Sequence, residues 1–203
     1  LKSTYSIGRQ RKTEIRIFDD VDVKKVVVKN SKLYVSREDG FIGTSLRREE
    51  YVEDCSDIDD VIIFTSNGDM IVTKVDSKKF VAKNILYVSV FKKRDSRTIY
   101  NMIYKEGKSG VSYIKRFNVT GVTRDKTYNL TSQNQKTKIL HFSANPNGEA
   151  EIVTIQLRQS GSIKKLKWDL DFADLAIKGR SVKGNIVSKY SVNTVSYTHL
   201  RAH

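Results

Sequence analysis

Five acidic residues crowd one short stretch of this chain: Glu53-Asp54, Asp57 and Asp59-Asp60. Carboxylates two apart on a strand share a face and can hold Mg²⁺. Asp57, Asp59 and Asp60 are therefore the candidate metal site, and the candidate centre if the chain is an enzyme. A solvated turn ahead of the apolar run Val61-Ile62-Ile63-Phe64 is the preferred reading. No G-x-x-x-x-G-K-[ST] phosphate loop and no G-x-S-x-G elbow is present. Cys55 is the single cysteine and has no histidine near it in sequence; His141, His199 and His203 are scattered. Neither an activated thiol nor a zinc site is expected. One cysteine also excludes an intrachain disulfide, in keeping with a reducing compartment. The ten tyrosines have no adjacent base and read as packing or stacking groups.

Cations carry the stronger signal. The chain holds 37 Lys and Arg against 23 Asp and Glu, a net charge of +14. Residues 1–60 are nearly balanced, with 12 basic and 13 acidic side chains; residues 61–203 hold the other 25 and 10. Such an excess on a strand-rich chain points to a polyanion. Nucleic acid is the usual one. An anionic membrane would call for a basic amphipathic helix, and none is visible. The basic residues recur at similar places in successive units: Lys78-Lys79, Lys92-Lys93-Arg94 with Arg97, Lys115-Arg116, Arg124 and Lys126, Lys164-Lys165 and Lys167, then Lys178, Arg180, Lys183 and Lys189. A solvated strand edge accounts for any one of them. Blades stacked around an axis would place the set on one rim, able to track phosphates without reading bases. In Lys178-Gly179-Arg180-Ser181-Val182-Lys183-Gly184 two glycines let backbone approach a phosphate chain; an ordinary hairpin loop is the alternative.

The elements that must position these residues are strands. Val, Ile, Tyr, Phe and Thr are abundant and proline occurs once. The chain alternates apolar strand, polar turn and second strand: Val26–Val28 to Leu33–Val35, with Arg37–Gly40 before Phe41-Ile42; Val61–Phe64 to Met70–Val72; Ile99–Tyr104 to Val111–Ile114; Ile139–Phe142 to Ile152–Ile155. Asn67-Gly68 and Asp39-Gly40 supply the positive φ of tight hairpins. Further strands are predicted over 83–91, 114–119 and 162–170, and a single turn over 171–177. The first strands begin near Val26, Ile62, Ile99 and Ile139, a near-constant period of 36, 37 and 40 residues that signals a propeller, pinwheel or solenoid. No run of about 18 apolar residues is present to span a membrane.

Asp57-Ile58-Asp59-Asp60-Val61-Ile62-Ile63-Phe64-Thr65-Ser66-Asn67-Gly68 resembles the repeating strand-and-turn unit of the C-terminal domain of the gyrase and topoisomerase IV A subunits. Gly110 to Phe117 resembles that family's G-x-x-x-x-K-R strand, and Ala176 to Asn185 its G-R-x-x-x-G connecting loop. The likeness runs from about Val23 to Val192, in the Bacteroidetes form of the topoisomerase IV protein. It implies an all-β pinwheel of four-stranded blades, about four of them here and the last incomplete. It implies duplex DNA bent around the basic outer rim. It also implies a parent enzyme that passes one duplex through another with ATP and Mg²⁺, built on an A-subunit dimer with its B subunits, in the cytoplasm with the nucleoid. Catalytic residues and cofactors would lie outside these 203 residues. No Q-R-R-G-G-K-G gyrase box is present, which favours relaxation or decatenation.

On this reading residues 1–22 are a linker, residues 23–194 the pinwheel, and residues 195–203 a non-native tail that resembles translated adapter sequence. A propeller that docks proteins, with an incidental basic surface, is the alternative.

Overall fold

The structure is a computed structural model that describes residues 29–131, 136–161 and 163–200, without the side chains of the last two. The expected linker over 1–22 and the strand Val26–Val28 lie outside the described residues.

Continuous apolar runs form strands buried on both faces, and alternating runs form strands buried on one. Sixteen strands result among the described residues, in four sheets. The first sheet holds β1 (Ser31–Ser36), β2 (Phe41–Gly43), β3 (Glu50–Cys55) and β6 (Lys79–Phe80). The second holds β4 (Asp60–Thr65), β5 (Asp69–Lys74), β7 (Ile85–Phe91) and β10 (Thr127–Asn129). The third holds β8 (Ile99–Lys105), β9 (Ser112–Asn118), β11 (Lys138–Asn145), β14 (Ile177–Gly179) and β15 (Asn185–Ser188). The fourth holds β12 (Glu151–Leu157), β13 (Lys167–Asp171) and β16 (Val192–Leu200). A 3-10 turn, Phe172–Asp174, follows β13, with the Asp171 carboxylate accepting from Ala173 N–H.

Each sheet after the first lends a strand to the sheet before it. The chain forms a hairpin, crosses back to pair with the second strand of the preceding sheet, and then returns. Thus β6 follows β5 but pairs with β2, Phe41 facing Phe80. β10 follows β9 but pairs with β5, Tyr128 facing Met70. β14 follows β13 but pairs in parallel with β9, Lys178 facing Phe117, and β15 pairs antiparallel with the same strand. The result is an all-β pinwheel of four interlocked blades. Two crossings demand glycine: a Cβ on Gly43 would lie 2.2 Å from Ser77 O, and one on Gly184 would lie 2.6 Å from Ile114 O.

The core lies between neighbouring blades. On β4, Val61 and Ile63 pack with Leu33, Val35 and Ile42 of the first blade. Its other face carries Ile62 and Phe64, which pack with Tyr100, Met102 and Phe117 of the third. Ile103 and Ile114 in turn face Val153, Ile155 and Phe172 of the fourth. Burying each such side chain contributes roughly 1.5–3 kcal/mol.

Four blades agree with the sequence-based expectation; their spacing does not. Ile139–Phe142 opens no new blade. It lies in β11, which pairs with β8, Phe142 facing Met102, and so closes the third sheet. Phe142 stacks 5.9 Å from Tyr100 and lies 4.7 Å from Phe64, contacts no fourth blade could offer. The fourth blade starts at β12, so in the later blades first strands begin at Asp60, Ile99 and Glu151 and the constant period is lost. The boundary drawn at 194 falls inside β16, where Val195 faces Ile155, Ser196 faces Thr154 and Tyr197 faces Val153. Among the described residues no helix is long and apolar enough to cross a membrane.

Candidate nucleic-acid interface

The three crossing segments carry much of the basic sequence, and contacts join them. The first leads into β6 and bears Lys78 and Lys79. The second leads into β10 and bears Arg124 and Lys126. The third comprises β14 and its following loop, with Lys178, Arg180 and Lys183. Lys79 Nζ lies 2.7 Å from the Asp125 carboxylate and donates to Thr73 Oγ1 at 2.6 Å, so the first segment meets the second. Arg180 Nη1 donates to Gly121 O at 2.6 Å, and its guanidinium lies 4.4 Å over the Tyr128 ring, so the third segment meets the second from the other side. Arg94, at the β7–β8 connection, donates its N–H to Thr120 O at 2.9 Å, which brings the Lys92-Lys93-Arg94 turn to the same place.

Aromatic rings and carboxylates hold the cations in position. Lys78 Nζ lies 4.8 Å from the Phe41 ring centre, Lys126 Nζ 5.4 Å from Tyr128, and Lys183 Nζ 4.4 Å from Tyr113. Arg124 Nε pairs with Asp60 at 2.7 Å, and Lys183 lies 3.8 Å from Glu106. Hydrogen bonds from Lys79 and Thr73 hold the Asp125 carboxyl below its ordinary range. The hydrogen bond to Asp60 raises Arg124, and that to Tyr113 raises Lys183. Lys178 reaches Asn185 Oδ1 at 3.0 Å. Lys78, Lys92, Lys93 and Lys126 are exposed and form no ion pair among the described residues. The joined segments form a ridge along which exposed cations outnumber the carboxylates that pair with them.

Two expected contacts are corrected. Lys115 and Arg116 are buried, at 3% and 9% exposure. Lys115 Nζ donates to the carbonyls of Leu130, Arg180 and Val182 at 2.5, 2.7 and 3.3 Å. Arg116 Nη2 donates to Gly148 O at 2.5 Å, in the turn between β11 and β12. Neither cation can reach a phosphate outside. Lys164, Lys165 and Lys167 are exposed, but they lie on and before β13 in the fourth sheet and make none of the contacts that join the ridge. Arg97 is exposed and lies 3.9 Å from Asp95.

The acidic cluster is otherwise engaged. Asp59 accepts from Ser56 N–H at 2.9 Å, Asp57 from Ser56 Oγ at 3.0 Å, and Asp60 pairs with Arg124. Among the described residues no group of three His, Cys, Asp or Glu side chains is arranged to hold a metal ion. Sequence reasoning passed over Tyr113 and Tyr128, the rings beneath the cations. The interleaving of Lys126 with Tyr128, and of Tyr113 with Lys115, was the signal that could have found them.

Interlocked β blades with basic residues at their crossings define a blade-repeat module. The chain belongs to the family of topoisomerase C-terminal domains of the Bacteroidota, which it matches over residues 32–199. It is similar to the A subunit of DNA topoisomerase 4 from Borreliella burgdorferi, 28% identical over 198 residues, which is 97% of this chain. The chain spans 30% of that protein's length. The crystal structure of the C-terminal domain of DNA topoisomerase IV superposes with a TM-score of 0.49 at 11% identity, over 84% of this chain and 62% of that one.

Proposed function

We propose that this domain holds duplex DNA by its phosphates along the ridge of crossing segments, and bends or wraps it without reading its bases. The joining of those segments into one surface, through Lys79–Asp125 and Arg180–Gly121, is the observation that carries this. A surface on which Lys and Arg over aromatic rings outnumber carboxylates attracts the charge of the nucleic-acid backbone, and such contacts carry no sequence information. Membership of the topoisomerase C-terminal domain family supports the same function. Within its parent, the domain would present a bent segment to a type II topoisomerase that passes duplex through duplex using ATP and Mg²⁺. Its partners would be the B subunits of that enzyme, within an A-subunit dimer, in the cytoplasm with the nucleoid.

The test is a plasmid topology assay. Relaxed circular DNA is incubated with increasing protein and topoisomerase I, then deproteinised. A shift in linking number shows chiral wrapping. Binding without a shift leaves simple binding and overturns chiral wrapping, and no binding at low salt refutes the proposal.

A further inference from the structure

We infer that Lys115 is a positioning residue for DNA binding: its buried ammonium ties the loop Gly179–Gly184 to the end of β10 and so sets the shape in which Arg180 and Lys183 meet phosphate. The inference rests on the DNA-binding reading above. It goes further by assigning the ridge's geometry to a cation that touches no DNA.

The geometry is specific. The three carbonyls on Lys115 Nζ come from two crossing segments, Leu130 at the end of β10 and Arg180 and Val182 in the loop after β14. An ammonium has three donors and here finds three acceptors. Arg180 thereby presents its carbonyl to Lys115 while its guanidinium reaches Gly121 O and Tyr128. Gly184, at the far end of the loop, has no room for a Cβ against Ile114 O. The loop is clamped at both ends, and the clamp in its middle is a charge.

That charge is labile. Burial among Phe117, whose ring centre lies 4.8 Å away, and the surrounding core pushes Lys115 down to about 8. On the elements that meet Lys115, the charged and titratable groups are Tyr113 and Arg116 on its own strand, Tyr100, Tyr104 and Lys105 on β8, Tyr128 on β10, Lys178 on β14, and Arg180 and Lys183 in the loop. No carboxylate touches its Nζ among the described residues. A neutral amine keeps two donors and turns a lone pair toward the carbonyls, so one hold on the loop is lost.

The sign follows from linkage. DNA phosphates beside the ridge favour the ammonium, so binding is coupled to proton uptake and affinity falls as pH rises through about 8. Fold stability moves the opposite way. The unfolded lysine holds its proton to about 10.4, so the folded state gains as pH rises from about 8 toward that value. Loss of affinity in this window is therefore not unfolding.

The experiment measures affinity for a fluorescent 40-base-pair duplex, by anisotropy at constant ionic strength, from pH 7 to pH 9. The proteins are wild type and Lys115→Met, with thermal melts alongside. Wild-type affinity is expected to fall by as much as about tenfold, the limit for one coupled proton. Lys115→Met is expected to bind more weakly at pH 7 and to show a flat profile; because the variant keeps the α-amino group, a flat profile excludes that group as the source of the wild-type slope. A variant that keeps the wild-type slope overturns the inference. If the variant does not fold, the wild type decides: a flat profile overturns the inference, and a fall together with a rising melting temperature supports it. Salt-insensitive or absent binding at every pH would instead refute the DNA-binding reading itself.

Discussion

Lys79 and Asp125 meet at 2.7 Å although they belong to crossing segments of different blades. Lys79 is in β6, lent by the second blade to the first; Asp125 precedes β10, lent by the third blade to the second. The two residues mark the joint between successive crossings. Asp125 also accepts from Thr73 Oγ1 at 2.7 Å, so the joint is anchored in β5.

Asp125 is the acidic residue within the second basic segment, between Arg124 and Lys126. Asp125→Asn keeps the hydrogen bond from Thr73 and removes a charge that repels phosphate. Duplex affinity at low salt is expected to rise by about threefold, while stability changes by less than about 1 kcal/mol because the pair is exposed. Anisotropy titration and urea unfolding measure the two effects.

Gly184→Ala places a methyl 2.6 Å from Ile114 O, and Gly43→Ala places one 2.2 Å from Ser77 O. Both obstacles are backbone and cannot swing aside. Each variant is expected to lose about 1–3 kcal/mol, the usual cost of overpacking. A Cβ on Gly121 meets nothing within 4 Å. Gly121→Ala is the control and should unfold within about 0.5 kcal/mol of wild type.

Arg116 ties β9 to the turn between the third and fourth blades through Gly148 O. Arg116→Ala is expected to cost about 2–3 kcal/mol in chemical unfolding, as loss of a charged hydrogen bond in a buried place. Under folding conditions near pH 7 its DNA affinity should stay within about twofold of wild type.

The hairpins β1–β2, β4–β5 and β8–β9 were legible because each joins two local apolar runs across a polar turn. The crossing strands were not. β6, β10 and β14 are two or three residues long and carry no apolar period. What selects them is the open edge of another sheet, which no local pattern records. β11 misled for the opposite reason: its apolar run looks like a first strand, and only Phe142 packing on Tyr100 and Phe64 places it at the edge of the third sheet. Of the basic residues singled out in the sequence, Lys115 and Arg116 are buried, and Lys164, Lys165 and Lys167 lie on or before β13, away from the crossing segments. Lys115-Arg116 looks like a solvated pair until strand alternation is applied. Lys115 then shares a face with Tyr113 and Phe117, both buried.

Glu151 is a buried carboxylate where β11 meets β12. His141 Nε2 lies 2.9 Å from it, Asn101 donates at 3.3 Å, and Ser143 donates as well. Burial pushes Glu151 up, but these hydrogen bonds together outweigh it, and the carboxyl sits below its ordinary value. A lowered folded-state value contributes stability above the unfolded value of about 4.3. That stability is lost as pH falls through the still lower folded value. Urea midpoints should therefore drop below about pH 4, and Glu151→Gln should be less stable at pH 7 with a shallower acid limb.

The central claim is that the crossing segments act as one DNA-binding surface, and salt dependence tests it most directly. Duplex affinity is measured from 50 to 200 mM salt for wild type, for Lys78→Ala/Lys126→Ala/Lys183→Ala, and for Lys164→Ala/Lys165→Ala/Lys167→Ala. Each phosphate contact contributes about 0.9 to the slope of log affinity against log salt. The ridge variant is predicted to bind more weakly to every sequence tested, with a slope shallower by about 2–3, and the fourth-sheet variant to lose less. An unchanged slope in the ridge variant, or a larger loss in the fourth-sheet variant, would contradict the account.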